Sequence, residues 1–435
     1  MRLYQQYPNS FLNLGIKSLL SNDTILAFYK KFCDEISSRM WTFKRAKNVK
    51  YEDKDFLKVF FFSEIIGRSI HHTSEKLNEY YFSQKKGRRK IFADGRQKRL
   101  IPHQTEVNKY LRKIGFRKAR RILRECLDFQ LKEAFRQKII SKKVNILIDF
   151  TEHPYYGKRE DIMIKGTNRQ KGTKKIRHYL GFSVFSRDIQ LYAGLEQVAK
   201  GQSKIPIIID FLFHLFDIGF EFEFIIMDRE FYRAELVDEI KSMAGDVLIP
   251  AKSYQKIKKM IEEYLIGKGN RTRKYKFSTT PGAPHRCVQE VYLILNAKKG
   301  HSLLNLKRSV QKGITSLEVA RKQIYAIMTT RKPKGKESSW ASRTSRFYRK
   351  RWNIETGFSD LNRINRRWKS NLDNVRYLDI LVRMLLYNSW KINKKLLTFR
   401  YKKEGKIKTW TLAQNQDFLT ETFLISQKKS QGEIG

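Results

Sequence analysis

The chain has 435 residues, 41% of them hydrophobic, which suits two or three folded domains and excludes both a disordered polypeptide and a small disulfide scaffold. Lys and Arg number 90 against 43 Asp and Glu, a formal charge of +47. Such a surplus bears on partners rather than on fold, and its commonest partner is a polyphosphate, because each neutralised phosphate releases counterions. Three scattered cysteines, Cys33, Cys126 and Cys287, offer neither a zinc spacing nor a disulfide framework and fit a reducing compartment. The first residues lack the continuous apolar stretch of a signal peptide. The most apolar region, 205–227, is interrupted by Asp210, His214, Asp217, Glu221 and Glu223, so no membrane partner is expected.

Residues 1–140 read as mostly helical. Phe56 to Ile66 is an apolar run long enough for a buried helix. Ser69 to Ser74 suggests a turn, with Ser74 capping a helix over Glu75–Tyr81. A basic run follows, Lys85, Lys86, Arg88, Arg89 and Lys90, then Arg96 to Arg99, giving eight bases and one acid, Asp94, between 85 and 99. Thr105 is placed to cap a helix carrying Val107, Tyr110, Leu111 and Ile114, which Gly115 ends. The next helix carries Ala119, Ile122, Leu123, Cys126 and Leu127. Short helices around a basic loop suggest a helix-turn-helix-like, DNA-contacting region, the plainer alternative being a bundle with a solvated basic face. His71, His72 and His153 have no metal-like partner at useful spacing and read as structural or surface residues.

From residue 141 the texture changes to strand. Val144–Asp149, Arg177–Phe185 and Ile189–Val198 form a meander, with a tight turn at 186–188. Ile205–Phe216 has helical spacing, Phe222–Met227 is a strand, Ala234–Met243 an amphipathic helix and Asp246–Pro250 a fifth strand. The order predicts an α/β fold for 141–250, a ribonuclease H-like mixed five-stranded sheet flanked by helices. Residues 251–335 read as a partly β insertion, 336–400 as the helical completion of the core and 401–435 as a polar tail. Glu152 and Asp161 read as loop acids.

Three acids stand out. Asp149 and Asp228 each close an apolar strand, and Glu355 lies in a basic, aromatic helix beside Tyr348 and Arg351. Phosphoryl transfer on DNA needs two hard cations held by carboxylates from separate elements, and strand ends are rigid platforms for them. Read singly, each aspartate is equally a cap or turn residue, and Arg351–Glu355 is equally a surface ion pair. Spacings of three and four residues put Tyr348, Arg351 and Glu355 on one helical face, where the fork of Arg351 can reach a phosphate. Asp360 is the weaker rival for the third carboxylate.

These blocks resemble the DDE transposases of prokaryotic insertion sequences, in the group whose signature is Tyr-x2-Arg-x3-Glu-x6-Lys. The match is Tyr348-Arg-Lys-Arg351-Trp-Asn-Ile-Glu355, with Met227-Asp228-Arg229-Glu-Phe231-Tyr232, Ile148-Asp149-Phe-Thr151 and Pro154-Tyr-Tyr-Gly157 as further blocks over about 144–390. Two positions depart: Asn362 stands where the signature has lysine, with Arg363 and Arg366 nearby, and Glu230 stands where many members have glycine. The resemblance implies a cut-and-paste enzyme in which Asp149, Asp228 and Glu355 bind two Mg²⁺ or Mn²⁺ ions, while Tyr348, Arg351 and Arg366 hold the cleaved DNA end. It implies terminal inverted repeats and target DNA as partners, a homodimer on paired ends, and the cytoplasm or nucleoid of a prokaryote as location. Trp340 and Trp352 are near enough to stack on a flipped base, or else pack in the core. The other readings are an inert DNA-binding descendant of such an enzyme and a ribonuclease H-like nuclease that cuts without joining.

Overall fold

In the computed structural model, which describes residues 51, 53–84, 101–158, 161–170, 172–243, 245–279, 286–363, 370, 372–403, 411 and 416, the apolar runs between 143 and 329 join one nine-stranded mixed sheet. Its strands are β1 (Lys143–Pro154), β2 (Ile164–Gln170), β3 (Thr173–Ser186), β4 (Ile189–Gln197), β5 (Glu221–Met227), β6 (Asp246–Pro250), β7 (Thr272–Ser278), β8 (Val288–Ala297) and β9 (Ile324–Thr329). The helices among the described residues are α1 (Asp53–Ile65), α2 (Ile70–Gln84), α3 (Gln104–Lys113), α4 (Phe116–Arg136), α5 (Ile205–Asp217), α6 (Ala234–Ser242), α7 (Gln255–Leu265), α8 (Leu303–Gln311), α9 (Leu317–Lys322), α10 (Glu337–Arg349), α11 (Trp352–Arg363) and α12 (Asp373–Lys403). None of them is long and apolar enough to cross a membrane. The chain divides into two compact units, one of Met1–Ala134 with Asp360–Gly435 and one of Phe135–Ser359.

In the sheet unit, the order is β2-β3-β1-β5-β6-β9-β8-β7, with β4 also paired to β3. Strands β1, β5 and β6 run parallel and the other pairings are antiparallel. The five-stranded expectation is corrected to nine. Strand β9 pairs the edge that β6 would otherwise leave open, and β8 and β7 extend the same sheet, so residues 251–335 prolong it. Strand β2 was not anticipated; its polar sequence, IKGTNRQ, hides a strand held by its pairing to β3. The β3–β4 hairpin turns on Arg187 and Asp188, at φ 50° and 63°, the left-handed pair that a two-residue turn requires.

Neighbouring residues on a strand point to opposite faces, which sorts the helices into layers. Phe182 of β3 stacks on Phe211 of α5 at 3.9 Å, whereas a Cβ at Gly181 would meet Phe358 of α11. On β5, Ile225 lies by Ile240 of α6, and Phe224 packs on Phe347 of α10 at 5.2 Å. Helices α5 and α6 therefore cover one face and α10 and α11 the other.

In the helical unit, Phe56 of α1 stacks on Tyr110 of α3 at 4.6 Å, and α4 buries Ala119, Ile122, Leu123, Cys126 and Leu127. Two caps differ from expectation. Ser69 accepts from the His72 N–H at 3.0 Å, so α2 starts before Ser74, whose buried hydroxyl donates to the Pro102 carbonyl at 2.7 Å instead. Helix α3 is capped by His103 rather than Thr105, with Glu106 returning a bond to the His103 N–H at 3.0 Å. At the other end of α3, Asn374 of α12 donates to the terminal carbonyls of Leu111 and Ile114 at 3.1 and 2.5 Å.

Candidate active site

The parallel register of β1 and β5 ends at Ile148 opposite Met227. Asp149 and Asp228 are the next residues on these adjacent strands, which puts their backbones about 5 Å apart. Asp149 does not end its strand, as the sequence suggested. After its parallel partner stops, β1 runs on to Pro154 against β3, so Asp149 is held from within a strand and Glu152 is a strand residue rather than a loop acid. Asp161 lies in the loop, as expected. Asp228 leads a 3₁₀ turn over Arg229–Phe231 through its backbone, the Phe231 N–H donating to its carbonyl at 3.0 Å. Its side chain makes no capping bond, so the carboxylate is not spent on the turn.

The third acid arrives from the opposite layer. Tyr348 and Glu355 were expected on one helix, but α10 ends at Arg349 and the chain tightens before α11. The Arg351 N–H donates to the Tyr348 carbonyl and the Ile354 N–H to the Arg351 carbonyl, both three residues back at 3.0 Å. The three side chains still converge. Arg351 donates through Nε to the Tyr348 hydroxyl at 3.1 Å and through Nη1 to Asp149 Oδ2 at 2.9 Å, with Glu355 Oε1 at 2.6 Å. Arg351 and Asp149 are each only 8% exposed. The guanidinium thus faces into the carboxylates instead of outward.

A glycine sets the depth of this convergence. Gly181 of β3 is the cross-strand partner of Asp149, and a Cβ there would lie 2.3 Å from the Phe358 ring. Phe358 is one turn beyond Glu355, so the missing side chain lets α11 sit against the sheet beside Asp149.

The electrostatics follow from three acids around one base. Burial pushes the Asp149 carboxyl up to about 6; Arg351 and the Phe150 N–H pull it down, and the charges of Asp228 and Glu355 raise it again. Arg351 is disfavoured as a cation by burial, yet Tyr348, Asp149, Asp228 and Glu355 outweigh that and hold it above its usual value. Burial likewise pushes the Tyr348 hydroxyl up to about 12. Crowded, partly desolvated carboxylate oxygens with a negative surplus fit a hard divalent cation.

The family described as Transposase DDE domain matches residues 140–389, more than half of the chain. The chain belongs to that family. Among solved structures, a cryo-EM structure of a piggyBac transposase synaptic complex with hairpin DNA is similar, at 12% identity and a TM-score of 0.45, over 98% of this chain and 83% of that one. The curated proteins contain no match.

The remaining expectations for this DDE-family chain fall out unevenly. Lys85, Lys86, Arg88, Arg89, Lys90 and Arg366 lie outside the described residues. Asn362 is on α11. Asp360 couples to Tyr387 and Lys391 of α12, and the charges acting on Asp149 are those of Arg351, Asp228 and Glu355. The two tryptophans separate: Trp340 is buried against Ile294 and Ala341, whereas Trp352, next to Arg351, is 61% exposed. Glu230 is exposed and pairs with Lys204 at 3.1 Å.

Sequence reading missed an aromatic cluster that starts at Phe150, on the opposite face of β1 from the Asp149 side chain. The Phe150 ring stacks between His178 at 4.3 Å and Phe231 at 4.8 Å, under Lys204 at 4.4 Å. Lys165 Nζ donates to His178 Nδ1 at 2.6 Å, and burial followed by the charges of Lys165 and Lys204 lowers the imidazole to about 4, leaving it a neutral acceptor at pH 7. These residues come from β1, β2, β3, the start of α5 and the turn after β5, so no local signal in the sequence joins them. The reading that His71 lacks metal-like partners is also corrected, since the fold brings Glu75 and His103 to it.

Proposed function

We propose that this chain is a DNA transposase with a ribonuclease H-like core, in which Asp149, Asp228 and Glu355 hold two Mg²⁺ or Mn²⁺ ions. The observation that carries this reading is the convergence of all three carboxylates on Arg351, two from adjacent parallel strands and one from the opposite helical layer. The chemistry such cations supply is activation of the attacking oxygen and stabilisation of the leaving one. The chain's own residues do the rest. Asp149 and Asp228, fixed by strand backbone, set where a phosphodiester would sit. Arg351 balances the acids, and were a cation held by Asp149 and Glu355, its fork would be available to a DNA phosphate. Tyr348 orients Arg351 through the Nε–hydroxyl bond. Exposed Trp352 offers an aromatic face to an unstacked base.

In this reading the enzyme cuts at the ends of its element and joins the freed 3′-OH to target DNA, working as a homodimer on paired ends. Residues 1–140, with Lys85 to Lys90, contribute DNA affinity, and Arg366 supplements the backbone contact near Asn362. Residues 251–335 act as the insertion and 336–400 complete the core. The test is a cleavage and joining assay with labelled DNA carrying the flanking gene ends, with Mg²⁺ or with chelator, beside Asp228→Ala. Metal-dependent cutting and joined products, both lost in the variant, are expected. Tight binding without cutting would indicate an inert DNA-binding descendant, and cutting anywhere without joining would indicate a nuclease.

A further inference from the structure

His71, Glu75 and His103 each present one ligand atom within 4.8 Å of the others, in the helical unit and apart from the sheet carboxylates. His71 and Glu75 are four residues apart on α2, one turn along the same face. His103 comes from the start of α3. Its backbone is fixed by the bond to Glu106 at 3.0 Å, and its ring is turned 77° from that of His71 with centroids 5.8 Å apart, so the two imidazoles are not stacked. We propose that these three residues bind one transition-metal cation, Zn²⁺ by preference, which ties the start of α2 to the start of α3.

The donor chemistry selects the ion class. Two imidazoles with one carboxylate suit Zn²⁺ in a tetrahedral site whose fourth position takes water, whereas Mg²⁺ prefers oxygen throughout. The fold also supplies support behind one ligand. His103 Nδ1 lies 3.0 Å from Thr105 Oγ1. With Nδ1 donating to that hydroxyl, the Nε2 lone pair is the one available to a metal, the arrangement that fixes tautomer and orientation in metal-bound histidines. Cation binding would therefore move His103 from accepting at the Thr105 N–H to donating at its hydroxyl. In sequence, Glu75 and His103 bracket the eight bases of 85–99.

The test uses the full chain carrying Asp149→Asn and Glu355→Gln, so that the sheet carboxylates contribute little. Stripped with chelator and titrated with Zn²⁺ in a calorimeter, it takes up one equivalent and melts at a higher temperature. Co²⁺ in place of Zn²⁺ gives the visible absorption of a tetrahedral site. His71→Ala and His103→Asn, the second keeping a capping side chain, each abolish uptake, and Thr105→Val weakens it by about 10–100-fold. Uptake that persists in both histidine variants overturns the proposal. So does a parent chain that shows neither Zn²⁺ uptake nor a tetrahedral Co²⁺ spectrum, a result that needs no variant to fold.

Discussion

Two arginines sit among carboxylates at opposite ends of the central parallel strands. Near the start of β5 and β6, Arg331 reaches Asp246 Oδ2 at 2.5 Å, the Glu223 carbonyl at 2.7 Å and the Glu223 carboxylate at 3.6 Å. Its guanidinium lies 3.7 Å over the Phe224 ring, and Thr330 donates to the second Asp246 oxygen at 3.0 Å. At the far end, Arg351 serves Asp149 and Glu355 directly and feels Asp228 as well. The first cluster clasps two strands to the chain after β9. The second leaves three acids around one base and raises Asp149 to about 6. Residue types are nearly the same in both; the third carboxylate and the burial of Asp149 separate a clasp from a candidate cation site.

The sharpest way to break this comparison is to neutralise one acid at each end. Asp228→Asn or Glu355→Gln should lower metal-dependent DNA cleavage by roughly 10³-fold or more, as for other essential active-site groups, while Asp246→Asn should leave it within a few-fold. Equal losses in a cleavage assay would erase the distinction.

Removing the bases comes next. The Arg351–Asp149 side chains are 10% and 11% exposed, the Arg331–Asp246 side chains 27% and 31%. Arg351→Ala strands the buried Asp149 carboxylate and should destabilise the chain by about 3–5 kcal/mol, whereas Arg331→Ala should cost about 1 kcal/mol. Thermal melts of the two variants should rank in that order. At the level of packing, Gly181→Ala drives a methyl into Phe358 and should cost about 1–3 kcal/mol and much of the cleavage, with every carboxylate intact. Gly166→Ala, whose added Cβ meets nothing within 4 Å, is the control and should leave melting and cleavage unchanged.

The mildest test is pH. Asp149 sits above its ordinary value of 3.8, so the folded chain holds an extra proton between about 4 and 6. The stability this group contributes is present below the unfolded value and is lost as pH rises through about 6. Chelated wild-type protein should therefore lose stability over that window, and Asp149→Asn should flatten this part of the curve in urea titrations. On the proposed role of Asp149 as a cation ligand, cleavage should rise over the same range.

Much of the sheet was legible because buried parallel strands are unbroken apolar runs. Ile146 to Ile148 and Phe224 to Met227 announce themselves, and the acids that follow them are visible for the same reason. The rest depended on tertiary partners. Strand β1 continues past Asp149 through Thr151-Glu-His153 only because β3 pairs with it. Strand β2 has no apolar alternation of its own. The spacing of Tyr348, Arg351 and Glu355 was readable, but the turn of Arg351 toward the acids is set by the sheet beneath it. Gly181 carries no signal until Phe358 is known to need its space. His103 reads as an ordinary loop residue until it is seen capping α3 beside His71.

The central claim is that the three carboxylates around Arg351, those of Asp149, Asp228 and Glu355, form a divalent-cation site. It is tested most directly by calorimetric Mn²⁺ titration of the full chain near neutral pH, in a His71→Ala background that removes the helical-unit histidine. The account predicts binding that is lost alike in Asp149→Asn, Asp228→Asn and Glu355→Gln and kept in Asp246→Asn. Binding unchanged in the three, or lost equally in Asp246→Asn, would contradict it.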